Sequence, residues 1–385
     1  MKVKLGECFY QIRNGANIKQ GIEGGYPITR IETIANDKFN RNRMGYAGIY
    51  DLAKYEEYIL EDGDLLMSHI NSIKFLGRAV RYQCKDNEKI IHGMNLLRLK
   101  VIRRILLPNY VEYYFKSIHF KKQLTQIIKK SVNQASFTVA DLKNINIDVP
   151  ELIKQKKIAS VLDKLQSIIT LRKEQLAKLD ELVKARFVGM FGDVFKNGQD
   201  LLGNCCEINP AKIIFNDSRK VSFIPMANVK EDGSVDVTIT KQYEEVKTGF
   251  TSFIDGDVLF AKITPCMENG KGCIVNNLCN GVGFGSTEFH ILRPIKNVTN
   301  SYWLYVLTKS FKLRHEAAVN MTGSAGQRRV PANFLKSYRV TVPPIELQNQ
   351  FADFVQQVDK SKVAVQKALD KTQMLFDSLM QEYFG

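Results

Sequence analysis

The chain has 385 residues, of which 44% are apolar and 25% are charged, so it is long enough for two or three globular domains and is neither disordered nor fibrous. Its formal net charge of +15 predicts a polyanionic partner. Nucleic acid is the commonest such partner, and an anionic membrane surface or a ribosome-like assembly is the alternative, between which charge alone does not choose. The charged start Met1-Lys2-Val3-Lys4 and the absence of any run of 18 apolar residues argue against a signal peptide and a membrane helix, so we expect a cytoplasmic protein.

Two short motifs recur along the chain in the same order, which indicates an internal repeat. Leu5-Gly6-Glu7-Cys8 is echoed by Leu202-Gly203-Asn204-Cys205, and Asp62-Gly63-Asp64 recurs 193 positions later as Asp255-Gly256-Asp257. Each Asp-Gly-Asp precedes a short apolar run, Leu65-Leu66-Met67 or Val258-Leu259-Phe260. This pattern predicts a tight turn that leads into a buried strand.

A loop with polar and basic residues follows each predicted strand, and the two loops differ. The first contains Asn71, Lys74 and Arg78, and the second contains Lys262, Thr264 and Lys271. A helix rich in aromatic residues comes later in each copy, and the helical spacing of these residues favours core packing over base stacking. The residues are Tyr110, Tyr113, Tyr114, Phe115 and Phe120 in the first copy, matched approximately by Tyr302, Trp303, Tyr305, Leu307 and Leu313 in the second.

Each copy closes with a glutamine-bearing loop and a last predicted strand. Gln134 and Gln327 are 193 positions apart, in the loops 131–136 and 324–329. The strands end at Val149-Pro150 and Val342-Pro343, where proline prevents further ladder pairing and suits the start of a helix.

Two long segments, 151–192 and 343–385, share one heptad register and both end in Phe-Gly. A period of 3.5 residues over so many turns is typical of helices that pack along a continuous seam. Two unrelated amphipathic helices, each buried in its own domain, would not explain the shared offset. The predicted helix–helix packing residues are Ile158, Leu162, Leu165, Ile169, Leu176, Leu179 and Val183 in the first segment and Phe351, Val355, Val358, Val365, Leu369, Phe376 and Leu379 in the second.

The ordered double set of motifs resembles the specificity subunit of type I restriction-modification systems, over essentially the whole chain. The motifs are the Leu-Gly opening, the Gly-Asp start of a strand, the glutamine-bearing loop, and Pro-x-x-x-x-Gln at Pro150 to Gln155 and at Pro343 to Gln348 before a helix that ends in Phe-Gly. The resemblance implies a mixed α/β fold, with two target recognition domains related by a pseudo-twofold repeat and separated by a long antiparallel two-helix coiled coil. The expected domains are 1–150 and 193–342, and the spacer helices are 151–192 and 343–385.

The resemblance also implies a subunit without catalysis, cofactor or metal of its own. Each target recognition domain is expected to read half of a bipartite, asymmetric site in double-stranded DNA. The helix pair is expected to set the unread spacer and to dock two methyltransferase (M) subunits, with restriction/translocase (R) subunits as further partners. S-adenosylmethionine, ATP and Mg are expected in those partners. A 42-residue helix would span about 63 Å, close to two turns of B-DNA, which agrees with a spacer role.

Sequence reading needs side chains that hydrogen-bond to base edges, and the divergent loops supply them. Gln134 and Gln327 occupy a shared position, which favours a role in the loop frame because shared residues cannot explain different targets. The predicted DNA-binding residues are Asn71, Lys74, Arg78, Lys129, Lys130, Asn133 and Gln134 in the first copy and Lys262, Thr264, Lys271, Ser324, Gln327, Arg328 and Arg329 in the second.

Three other functions are alternatives to that of a specificity subunit. A nuclease would need an acidic residue followed by Glu-x-Lys, and Asp236 with Glu245-Val246-Lys247 has that spacing, but the element has no counterpart in the first copy. A methyltransferase would need an Asn/Asp-Pro-Pro-aromatic loop and a glycine-rich cofactor strand, and neither occurs. A coiled-coil scaffold without base readout would bind DNA in a salt-dependent but sequence-independent way.

The seven cysteines form no C-x-x-C pair, so reduced thiols are expected rather than a zinc site.

Overall fold

The computed structural model describes residues 1–130, 134–324 and 326–385, which form two compact units. One unit comprises Met1–Lys173 with Lys367–Gly385, and the other comprises Glu174–Gln366. Each unit therefore contains a mixed α/β domain and part of both long helices. The domain bounds drawn from the sequence repeat stay predictions.

The first unit begins with short strands and a single-turn helix. Its strands are β1 (Lys2–Lys4), β2 (Phe9–Asn14), β3 (Ile22–Gly25), β4 (Ala47–Ile49), β5 (Leu65–Met67), β6 (Ile70–Asn71), β7 (Ala79–Arg81), β8 (Leu97–Val101), β9 (Lys129–Lys130), β10 (Ala135–Ser136) and β11 (Asn146–Asp148). Its helices are α1 (Leu5–Cys8), α2 (Pro108–Lys116), α3 (Ile118–Ile127), α4 (Val139–Lys143) and the start of the long helix α5 (Leu152–Phe191).

The second unit continues from α5 and follows a similar order. Its strands are β12 (Asp200–Leu201), β13 (Cys206–Ile208), β14 (Lys220–Ile224), β15 (Thr240–Gln242), β16 (Thr251–Ile254), β17 (Val258–Ala261), β18 (Gly272–Ile274), β19 (Val282–Gly285), β20 (Phe289–Pro294) and β21 (Arg339–Val340). Its helices are α6 (Leu202–Cys205), α7 (Tyr243–Val246), α8 (Ser301–Lys309), α9 (Phe311–Val319), α10 (Ala332–Ser337) and the start of α11 (Ile345–Phe384).

Both units contain a four-stranded antiparallel sheet with the same order of strands. The order is β2-β8-β5-β7 in the first unit and β13-β20-β17-β18 in the second. The strands that follow Asp-Gly-Asp, β5 and β17, are interior and fully buried, which confirms the predicted turn into a buried strand. A second strand pair, β1 with β11 or β12 with β21, is also common to the two units.

The units differ outside this shared framework. The second unit has an additional sheet of order β15-β14-β19-β16, in which β14 and β19 are parallel. The first unit has a three-stranded sheet of order β6-β10-β9, the parallel pair β3 and β4, and short 3₁₀ helices such as Ile73–Phe75. The two units thus share a four-stranded sheet and differ in the segments around it, as the sequence repeat shares its motifs and differs in its loops.

The aromatic residues of α2, α3 and α8 belong mainly to the apolar cores, as predicted. In the first unit, Tyr110, Tyr114 and Phe120 are buried in one cluster with Leu5, from α1. In the second unit, Trp303 is fully buried, with Tyr302 and Tyr305 packed against the same cluster. These rings fill the space between the sheet and the long helices, so they are not available to stack on bases.

The long helices α5 and α11 pack antiparallel in both units. In the first unit, Arg172 donates hydrogen bonds to the Ala368 carbonyl and the Thr372 hydroxyl, while Ile158 lies in the same core cluster as Phe384. In the second unit, two further contacts between the helices show the same antiparallel direction. Phe187 packs against Phe351 with ring centroids 5.5 Å apart, and Lys362 pairs with Asp180 at 2.6 Å.

All the predicted packing residues are buried or half-buried. The mixed α/β repeat with an antiparallel pair of long helices is confirmed.

A buried glutamine anchors the start of each long helix. The Gln155 side chain accepts from the Leu107 N–H at 2.9 Å and donates to the carbonyls of Ile105 and Pro150 at 2.8 and 2.7 Å. Gln348 repeats this geometry, since it accepts from Asn300 at 3.0 Å and donates to Val298 and Pro343 at 2.9 and 2.8 Å. The glutamine shared by the two Pro-x-x-x-x-Gln motifs therefore makes the same set of hydrogen bonds in both copies.

Candidate nucleic-acid interface

In the second unit, two loops that are distant in sequence lie against each other. The Thr264 N–H donates to the Arg328 carbonyl at 3.0 Å, and the Val330 N–H donates to the Lys262 carbonyl at 2.9 Å. The Thr264 hydroxyl accepts from the Arg328 N–H at 3.2 Å. This antiparallel contact brings together five predicted DNA-binding residues, namely Lys262, Thr264, Gln327, Arg328 and Arg329.

The neighbouring arginines of this loop pair have different surroundings. Arg329 donates to both carboxylate oxygens of Glu288, at 2.9 Å each, and this hydrogen bonding lowers the pKa of Glu288. Arg328 approaches Glu268 only at 3.7 Å, although the two arginine side chains are almost equally exposed, at 43% and 41%. A guanidinium with loose protein contacts is freer to bind an anion or a base edge, so Arg328 is the better placed of the two.

The other predicted residues of the second unit lie on the same loops. Ser324 and Gln327 are exposed, and the Gln327 carbonyl accepts from the Arg329 guanidinium at 3.0 Å. The Lys271 ammonium donates to the Met226 carbonyl at 3.3 Å, so it connects its loop to the segment after β14. These contacts involve only the Gln327 backbone, and its side chain is exposed, so the frame role of this glutamine stays a prediction.

Two basic residues that contact the loop 264–272, the buried Arg314 and the half-buried Lys309, were not identified as site residues from the sequence. Arg314 of α9 donates to the carbonyls of Met267 and Lys271, and its guanidinium lies over the Phe260 ring at 4.9 Å. Lys309 of α8 donates to the Gly270 carbonyl at 3.0 Å and to the Glu231 carbonyl. Because they bind backbone carbonyls, both residues hold the loop in one conformation.

In the first unit, the sheet β6-β10-β9 brings two predicted segments side by side. Asn71 pairs with Ala135, and Ala135 pairs with Lys130 on the other side. Lys129, Lys130 and Gln134 are exposed, and Asn71 is half-buried. Asn133 lies outside the described residues. The sheet therefore presents polar and basic side chains from β6 and β9 around one central strand.

The remaining residues of this surface lie on the loop between β6 and β7. Lys74 is exposed, and its ammonium lies 5.4 Å from the centre of the Phe75 ring. Arg78 lies over the same ring at 4.8 Å and pairs with Asp37 at 2.9 Å. Lys74 and Arg78 were predicted from the sequence, but the exposed apolar residues on either side of Lys74, Ile73 and Phe75, were not.

The acidic residues considered for a nuclease have local structural contacts. Asp236 accepts hydrogen bonds from the N–H and hydroxyl of Thr238, at 2.9 and 2.6 Å, and Glu245 accepts from the Gln242 N–H at the start of α7.

Burial lowers the pKa of His69 and His290. Within residues 1–130, 134–324 and 326–385, no group of three His, Cys, Asp or Glu side chains is arranged to hold a metal ion. The helices of these same ranges include none with the length and apolarity required to cross a bilayer.

Comparison with known proteins identifies one family along nearly the whole sequence. The profile of the type I restriction modification DNA specificity domain matches twice, at residues 1–181 and 200–372. The specificity subunits of the type I restriction enzymes EcoAI and EcoEI, both from Escherichia coli, are each 37% identical over 185 residues. The match covers 46% of this chain but only 31% of either relative.

A solved structure shares the fold over its full length. The S subunit of the type I restriction-modification system from M. genitalium has a TM-score of 0.60 with 11% sequence identity, and the match covers 100% of this chain and 96% of that one. At this identity the likeness concerns the fold alone.

Proposed function

The chain belongs to the family of type I restriction-modification DNA specificity proteins, and we propose that it is the non-catalytic DNA sequence-specificity subunit of such a complex. The observation that carries this proposal is the double match of the family profile to two domains with the same sheet order and different loops. One frame with two loop sets is suited to reading two different half-sites, because loops can diverge without disturbing the cores.

Each domain is proposed to read one half of a bipartite, asymmetric site in double-stranded DNA. The candidate surfaces are the paired loops around Thr264 and Arg328 in the second unit and the sheet and loop around Asn71 and Lys130 in the first. Both carry the basic and amide side chains that base edges and phosphates require. The net charge of +15 supplies the non-specific attraction to DNA.

The long helices are proposed to set the unread spacer and to dock two methyltransferase subunits. Each helix has 40 residues and is therefore about 60 Å long. Exposed apolar residues such as Leu171, Val363 and Met374 offer surface for a protein partner. Restriction/translocase subunits complete the proposed assembly, in the cytoplasm, and S-adenosylmethionine, ATP and Mg would bind to the partner subunits.

Methylome sequencing tests the proposal directly. Cells that express this chain with its methyltransferase subunit are expected to carry methylation at one bipartite, asymmetric motif, and cells that express the methyltransferase subunit alone are expected to lack it. Methylation without a sequence motif would contradict base readout and support the scaffold alternative. Cleavage of DNA by the purified chain with magnesium, lost on Glu245→Ala, would support the nuclease alternative.

A further inference from the structure

We infer that the loop Ser72–Arg78 of the first unit reads the 5-methyl group of a thymine through apolar contact, with Ile73 as the specificity-determining residue. The inference rests on the proposed function, since it assumes that this unit binds duplex DNA. Thymine is the only standard DNA base with an exposed methyl group in the major groove, and an apolar side chain is the matching contact.

The loop and the preceding strand β6 carry large apolar residues that are exposed to solvent. Ile73 is 54% exposed, Ile70 is 44% exposed and Phe75 is 36% exposed. Three large apolar residues within six positions of one surface segment indicate a binding surface rather than scattered exposure.

The loop is held in place before any partner arrives. Its C-terminal end is tied to Ser68, just after β5, by hydrogen bonds from the Ser68 N–H to the Arg78 carbonyl at 2.9 Å and from the Gly77 N–H to the Ser68 carbonyl at 2.8 Å. The Phe75 N–H donates to the Ser72 carbonyl at 2.9 Å, and Leu76 is buried in the core. A fixed loop loses little conformational entropy on binding, so even a small apolar contact contributes to discrimination.

The charges around the apolar residues favour DNA over a protein partner. Lys74 lies beside Phe75, Arg78 lies over the same ring with Asp37 as its ion-pair partner, and Lys129 and Lys130 lie on β9 of the sheet that contains β6. Lysine is depleted at protein–protein interfaces but is common where a protein meets phosphates. Arg78 and Lys74 also lie over the Phe75 ring, at 4.8 and 5.4 Å, which disfavours stacking of that ring between base pairs. We therefore assign the apolar contact with DNA to Ile73, whose side chain would touch a methyl substituent on a base.

The test replaces thymine by uracil, which removes only the methyl group. The complex of this chain with its methyltransferase subunits is bound to duplexes that carry its methylome-derived site, with each thymine of either half replaced in turn. At one thymine, in one half-site only, uracil is expected to weaken binding about fourfold, the loss expected for one buried CH₂-sized group. The Ile73→Ala variant is expected to bind the thymine and uracil duplexes equally.

Ile118 provides a matched control, because it is 56% exposed in the same unit. Ile118→Ala is expected to keep the fourfold preference for thymine. Sequence-specific binding with no uracil effect, or a uracil effect that survives Ile73→Ala, would overturn the inference while leaving the proposed function intact. If the unaltered complex showed no sequence-specific binding at all, the proposed function itself would be overturned.

Discussion

Arg328 and Arg329 are adjacent in sequence but are held by different contacts, so their replacement should have different effects. Arg328→Ala is expected to lower discrimination about tenfold in one half-site, because its loosely paired guanidinium is available to a base edge. The measurement is methylation of sites with single-base changes in each half. An equal loss across all sequences would assign Arg328 to phosphate contact instead.

Arg329→Ala serves as the neighbouring comparison. Removal of Arg329 leaves Glu288 without its bidentate partner and frees the loop end at Gln327. We expect weaker binding to every sequence, with the order of base preferences unchanged. A changed base preference would show instead that Arg329 takes part in base readout.

Lys309 is expected to make stability depend on pH in a defined window. Burial, and secondarily the charge of Arg314, lowers the pKa of Lys309 from 10.5 to about 8. Between these values the unfolded chain binds more protons, so stability rises with pH from about 8 to 10.5, and the cost of the charged lysine is fully present below about 8. Between pH 8 and pH 10, the Tm of the chain with Lys309 should rise relative to the Tm of the Lys309→Met variant. A constant or falling difference would contradict this pKa.

At the level of single residues, the sequence predicted the types of side chain at the site better than their contacts. Divergent loops could be found because the repeat aligns them. The pairing of Arg329 with Glu288 could not, since the partner lies 41 positions away and nothing local indicates it. From the sequence, Arg314 is expected to be a surface cation, but in the structure it is buried beneath the loop to which it donates hydrogen bonds.

Among the elements, the starts of α5 and α11 depend on their buried glutamines. Gln155→Leu is expected to lower the free energy of unfolding by roughly 3 kcal/mol, because the Leu107 N–H and two carbonyls lose their partner in a buried site. Urea unfolding measures the change. Gln166→Leu is the control, as Gln166 is exposed on the same helix, and should alter stability by less than about 0.5 kcal/mol. Equal effects of both substitutions would show that the hydrogen bonds contribute little.

The long helices and the strands after Asp-Gly-Asp could be predicted because their patterns extend over many residues or occur twice. The 3₁₀ helices of the first unit, such as Ile31–Asp37 and Ala53–Tyr58, have no repeated period and no counterpart to align with. Their conformation depends on tertiary packing, which periodicity does not record.

For the whole molecule, the length of the helix pair is expected to determine the length of the unread spacer. Insertion of one heptad after Leu171, matched by one heptad after Ala368 of α11, keeps the apolar seam in register and adds about 10 Å to each helix. We expect the methylated motif to gain about three unread base pairs. A four-residue insertion in α5 alone is the control and should reduce methylation. An unchanged spacer in the heptad variant would exclude the helices as its determinant.

The first unit is built from two separated stretches of chain, and this has a consequence for its folding during synthesis. Residues 367–385 pack beside Tyr110 and Tyr113, yet a ribosome makes them only after the second unit is complete. The unit whose residues emerge first is therefore the last to be finished. Until then the surfaces of Tyr110 and Tyr113 that contact Phe384 and Phe376 stay uncovered, and the nascent polypeptide is open to chaperone capture or premature association at that end.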